Sequence, residues 1–135
     1  KMFADASSFD QSIDSFNTSN VTNMSEMFKG AKSFNHPVKH LKTDLVTDMS
    51  KMFYDATAFN QSLDGWNTSN VTNVSEMFYK AVAFNQPINM DFSKVDWANG
   101  MFAGAKSFNQ DISHLNYTFP SKNASTLKLH FSLQA

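Results

Sequence analysis

The chain has 135 residues, no cysteine, a formal net charge of -1 and only 17% charged residues. Without thiols there are no disulfide staples, thiolate metal sites or cysteine nucleophiles, and 11 scattered Lys and Arg make no face for nucleic acid or anionic membrane. No apolar run approaches the roughly 18 residues that span a bilayer, and no signal peptide or lipidation motif is present.

Hydrophobic residues make up 41% of the chain, unevenly distributed: Phe 14 and Met 8 against Gly 4 and Pro 3. Such bias points to a few structural positions filled repeatedly. The pair Met-Phe opens the chain at Met2-Phe3 and returns at Met27-Phe28, Met52-Phe53, Met77-Phe78 and Met101-Phe102, at intervals of 25, 25, 25 and 24. Ala6, Ala31, Ala56, Ala81 and Ala105 follow in step. Phe9, Phe34, Phe59, Phe84 and Phe108 come three residues later, then Ile13, Val38, Leu63, Ile88 and Ile112. Five columns in register from Met2 to Ile112 define an internal repeat, and a repeat of this length implies stacked coils. The chain begins inside a repeat, as a mature fragment would, so no export signal is expected within it.

Each unit reads as two halves. Met24, Met27, Phe28 and Ala31 stand at i, i+3, i+4 and i+7, the spacing of one helical face, and Met49 to Ala56 and Val74 to Ala81 repeat it. Asn23 with Glu26, and Asn73 with Glu76, have the spacing of a capping box, and Asp48 can cap the helix between them. About two helical turns per unit are therefore expected. Pro37 and Pro87 then forbid helix, and Val38 with Leu41, or Leu63 with Trp66, predict an extended half pointing inward. The polar return Asn-Thr-Ser-Asn-Val-Thr, at Asn17–Thr22 and Asn67–Thr72, has turn composition, with Val21, Val46, Val71 and Val95 as its anchors.

These elements predict an α/β repeat solenoid: leucine-rich-repeat-like coils of short helix plus parallel strand, about five of them over residues 1–115. The residue after each repeat Phe, namely Asp10, Asn35, Asn60, Asn85 and Asn109, is expected to form a polar ladder that satisfies backbone groups at the bend. Beyond Leu115, Leu127, Leu129, Phe131 and Leu133 alternate with polar residues, which predicts a capping strand within 116–135.

With Met-Phe-x-x-Ala-x-x-Phe-Asn-Gln in register, the segments FNQSLDGWNTSNVTNVSEMF and MFAGAKSFNQDI resemble the BspA-like leucine-rich-repeat surface proteins. The likeness is greater to the 25-residue-repeat branch of Mycoplasma surface lipoproteins, and covers Met2 to Leu115. The resemblance implies an exported or cell-surface protein that acts in adhesion or protein binding. It transfers no catalytic residue and no cofactor. The second unit departs from the pattern at Leu41 to Leu45, and the fourth is one residue short around Asn89 to Lys94.

His36 and His40 have the separation of a helical metal pair, but Pro37 lies between them and the segment reads as extended, so surface histidines are expected. The aspartates form no calcium-loop pattern, and no Gly-rich phosphate loop or Gly-x-Ser-x-Gly elbow appears. No enzyme activity, cofactor or metal site is therefore expected. Asn-x-Ser/Thr triplets recur throughout, and Asn116 and Asn123, outside the regular array, are the candidate glycan acceptors. The leading expectation is a non-catalytic module that binds a protein or glycan, with no nucleic-acid partner and no membrane insertion. The alternative is a structural or linker subunit held in a larger assembly.

Overall fold

The computed structural model describes residues 2–112 and 115, and its architecture follows from where the backbone amides go. In the second unit, the N–H groups of Met24, Glu26, Phe28 and Gly30 donate to the carbonyls of Asp48, Ser50, Met52 and Tyr54, at 2.9, 3.0, 2.8 and 2.7 Å. The amides between them stay within the unit: Met27, Lys29 and Ala31 donate to Met24, Glu26 and Phe28, at 3.3, 3.2 and 3.0 Å. The next unit divides its amides in the same way. Met49, Lys51, Phe53 and Asp55 reach forward to Asn73, Ser75, Met77 and Tyr79, while Met52, Tyr54 and Ala56 close local turns.

This partition corrects the expected fold class. Among the described residues there is no helix, and strand pairing is limited to isolated parallel bridges linking Asn23, Asp48, Asn73 and Trp97. An α-helix spends every interior amide on the carbonyl four residues back. Here alternate amides leave the unit, and those that stay make tight turns to the residue three back. The chain is thus a stack of turn-built coils, not an α/β solenoid of helix plus strand. The apolar spacing misled because both conformations turn the same residues inward: Met24, Met27, Phe28 and Ala31 are all buried.

The cap signals resolve differently as well. Asn23, Asp48 and Asn73 accept from the amides of Ser25, Ser50 and Ser75, at 2.8, 2.9 and 2.9 Å. These are side-chain turns closing two residues on, not capping boxes. Glu26 and Glu76 instead hold the third position of a turn, with φ of 61° and 56°. That position of a type II turn requires positive φ. It recurs twice per coil, at Lys51 and Asp55 (57° and 58°), then at Lys80 (55°), and at Gly100 and Gly104 (65° and 76°). Non-glycine residues pay roughly 1–2 kcal/mol for this conformation, so the inter-coil bonds and the packing beneath must hold them there.

The extended half contributes no strand among the described residues. It bends through further tight turns, Val38 to Leu41 and Leu63 to Trp66. The capping strand expected from Leu127 to Leu133 lies outside the described residues.

Inside the stack run two files of parallel rings. Phe28, Phe53, Phe78 and Phe102 follow one another at 5.4, 5.5 and 5.5 Å, and Phe34, Phe59, Phe84 and Phe108 at 6.1, 5.9 and 6.0 Å. Within a coil the two files touch, as at Phe53 and Phe59, whose centroids lie 4.0 Å apart. Phe3 and Phe9 begin the files and are only partly buried. Buried Thr18, Thr43 and Thr68 donate their hydroxyls to the carbonyls of Lys42, Asn67 and Asp91, and the Trp66 indole donates to Val38 at 3.0 Å. Each of these four buried polar groups bonds to a neighbouring coil, as the cost of leaving it bare demands.

Two stability tests follow. Phe53→Ala removes a ring that contacts Phe28, Phe59, Trp66 and Phe78. It should cost about 3–5 kcal/mol in urea unfolding. Gly30 has φ of +72°, and a Cβ there would stand 2.6 Å from the Asp5 carboxylate. Gly30→Ala should therefore cost about 1–2 kcal/mol, while Asp55→Gly, which relieves the same strain, should raise the midpoint.

Candidate functional site

Two surfaces of the stack carry organised polar and aromatic groups. The first is at the bend after each repeat Phe. The Asp10 carboxylate accepts from the Asn35 amide at 3.1 Å. Asn35 then accepts from Asn60 at 2.8 Å, Asn60 from Asn85 at 2.9 Å, and Asn85 from Asn109 at 2.9 Å. The residue after each ladder member adds a second bond. Gln61, Gln86 and Gln110 donate Nε2 to the Oδ1 of Asn35, Asn60 and Asn85, at 3.1, 3.0 and 2.9 Å. The side-chain oxygens of Asn35, Asn60 and Asn85 thus each serve two donors from the following coil. Those bonds hold the bends in register.

The histidines are part of the same scaffold. His36 Nε2 lies 3.0 Å from the Asp10 carbonyl and 3.2 Å from its carboxylate, whereas His40 Nε2 lies 2.8 Å from the Ile13 carbonyl. Each is tied separately to the preceding coil, and they do not converge on a common point. Among the described residues no group of three or more His, Cys, Asp or Glu is placed to hold a metal ion. Asn17, Asn23, Asn67 and Asn73 use their side-chain oxygens to close turns onto the serine two residues on. Asn116 and Asn123, the candidate glycan acceptors, lie outside the described residues.

The second surface is the turn face, and sequence reasoning passed over it. Here the coils place equivalent residues in outward columns. One column runs Lys29, Tyr54, Tyr79 and Ala103, and a neighbouring one Glu26, Lys51, Glu76 and Gly100. The two tyrosines stack at 4.7 Å with ring planes 16° apart. Lys29 and Lys51 bring their ammonium groups to 5.5 and 5.9 Å from the Tyr54 ring, and Lys80 to 5.4 Å from the Tyr79 ring. Lys51 also faces Glu76 at 3.9 Å, and Lys29 faces Glu26 at 3.6 Å. Such exposed ion pairs contribute little to stability, but they fix where the charges lie. The signal was present in sequence as the residue after each Met-Phe: it changes from Ala4 to Lys29 to Tyr54 and Tyr79 and back to Ala103, while the pair before it does not change.

Recesses open on the stack among the described residues. One, of about 280 Å³, adjoins Tyr79 and is lined by Ser75, Glu76, Asn99, Gly100 and Ala103. Another, of about 430 Å³, lies at the first coil between Met2, Phe16, Val21, Met24 and Met27, and is mainly apolar.

Comparison with known families matches residues 1–115 to the family described as Mycoplasma protein of unknown function, DUF285, and the chain belongs to that family. No curated protein and no solved structure matches it. That match by itself does not establish membership of the BspA-like leucine-rich-repeat proteins.

The ladder gives a direct test. Asn60→Ala removes the acceptor used by the Asn85 amide and by Gln86. It should cost about 1 kcal/mol in chemical denaturation. Asn60→Asp keeps an acceptor oxygen, as Asp10 does naturally for Asn35, and should retain most of that stability.

Proposed function

We propose that this member of the Mycoplasma family is a non-catalytic recognition module that binds a protein or glycan on the surface of the cell or outside it. The observation that carries the reading is the turn face. On one regular backbone, side chains in equivalent positions change from coil to coil, and at the centre two tyrosines stack in half-exposed positions. Tyrosine is prominent among residues that dominate binding energy, because it offers a large rigid face and a hydroxyl at low entropic cost. A stack of coils is suited to such presentation, since each coil sets only its own strip of surface and the core is unaffected by changes there. The resemblance to the BspA-like surface proteins supports the exported, adhesive setting.

A second reading, a structural subunit held in a larger assembly, has one observation in its favour. The recess at the first coil is apolar, and Met2 beside it is 69% exposed. Contiguous apolar surface of this kind commonly marks an interface. Sedimentation of the purified chain separates the readings. A monomer that stays soluble when concentrated supports the recognition module, and obligate association supports the subunit.

The recognition reading is tested by screening the whole chain against arrayed host proteins and glycans, then probing any ligand found with surface variants. Tyr54→Ala combined with Tyr79→Ala should weaken binding about tenfold or more, while Asp64→Ala on another surface leaves it unchanged. Circular dichroism confirms that each variant is folded. If no turn-face substitution alters binding, the site has been placed wrongly.

A further inference from the structure

We infer that the partner met by the turn face is a second copy of this chain, laid against the first with its stack running in the opposite direction. The inference rests on the recognition reading and names the partner of that surface. The order of charges along the columns carries it. Across the junction of the third and fourth coils one column runs from Lys51 to Glu76, a second from Tyr54 to Tyr79, and a third from Asp55 to Lys80. Both charged columns reverse sign at the same level, and they do so in opposite senses. A two-fold axis lying in the face at that level sets the third coil of each copy opposite the fourth coil of the other, column against like column. Lys51 then faces Glu76 of the second copy, and Asp55 faces its Lys80. Between them the two stacked tyrosine pairs, each with its rings 4.7 Å apart, meet across the axis.

The coils on either side fit the same axis. The second coil carries Glu26, Lys29 and Gly30 in these columns. It comes to lie opposite Gly100, Ala103 and Gly104 of the other copy, which bring neither charge nor bulk. Within the three columns no like charges meet. An axis passing through a coil fails this test: at the third, Lys51 would face Lys51 of the second copy, and Asp55 its Asp55. An axis between any other two coils opposes no tyrosine to a tyrosine. A partner of one charge sign gains nothing from this face, since Lys29, Lys51 and Lys80 balance Glu26, Asp55 and Glu76. The exposed Lys80 lies 5.4 Å over the Tyr79 ring and makes no ion pair among the described residues, so a carboxylate from outside can reach it. Self-complementarity about a two-fold axis is what an isologous dimer requires, and tyrosine is enriched at such contacts. About a dozen residues of each copy take part, against the roughly 20–30 of a standard interface, so the association is reversible.

Sedimentation equilibrium of the whole chain tests this. A reversible dimer should appear with a Kd between about 10 μM and 1 mM, and should weaken as salt rises from about 0.02 to 0.5 M. Charge-swap variants are decisive. Lys51→Glu opposes like charges on both sides of the axis, and so does Glu76→Lys, so each alone should lose about tenfold or more in affinity. Mixed in equal amounts, the two variants should associate with one another and recover that affinity, because every facing pair between them is again of opposite sign. Glutamate and lysine already alternate along this column at Glu26, Lys51 and Glu76, so both variants should fold, which circular dichroism checks. Absence of association up to about 1 mM overturns the inference, as does a mixture no tighter than either variant alone. Association that ignores salt and both substitutions but is lost in Met2→Lys also overturns it, and moves the contact to the first coil. A ligand from the array that depends on Tyr54 and Tyr79, in a chain that does not self-associate, leaves the recognition reading standing and removes only the second copy.

Discussion

The division of backbone amides between neighbouring coils is the constraint on which the rest of this molecule depends. Every second N–H in the turn half donates forward to the next coil, and the one between donates back within its own. That choice removes the helix, because a helix has no amide to spare along its length. It also forces the positive φ values at Glu26, Lys51, Asp55, Glu76 and Lys80, since the chain must reverse its turning twice per coil to keep alternate amides pointing the same way. Strain at these positions is accepted because the bonds and rings below hold the coil in place. Cooperativity follows from the same division: a coil alone has half its amides unbonded and a single pair of phenylalanines, whereas stacked coils satisfy both at once.

The phenylalanine files and the asparagine ladder are two further expressions of one repeat distance. Rings follow rings at 5.4–6.1 Å in the interior, while side-chain oxygens take amides at 2.8–3.1 Å along the bend. Neither column tolerates a change of residue easily, because each member contacts the one before and the one after. Outward positions lack that reciprocity. Lys29, the pair Tyr54 and Tyr79, and Ala103 put three different chemistries on equivalent sites, and it is there that a protein of this architecture can acquire a ligand without disturbing its core.

The sequence by itself determined the repeat, its 25-residue length and the residues that face inward. Met-Phe, Ala and Phe columns in fixed register leave little choice about what is buried, and Phe28, Ala31 and Phe34 are each fully so. Family membership over residues 1–115 was likewise carried by the motif. What the sequence could not settle was the local conformation. A spacing of i, i+3, i+4 and i+7 is shared by a helix and by two successive tight turns, and the choice between them depends on whether amides bond within the unit or across to another, a property of no single unit. The same limit hid the recess. Tyr79, Glu76, Asn99 and Ala103 come from two coils and gather only when those coils stack, so the recess they line was decided by the tertiary structure alone.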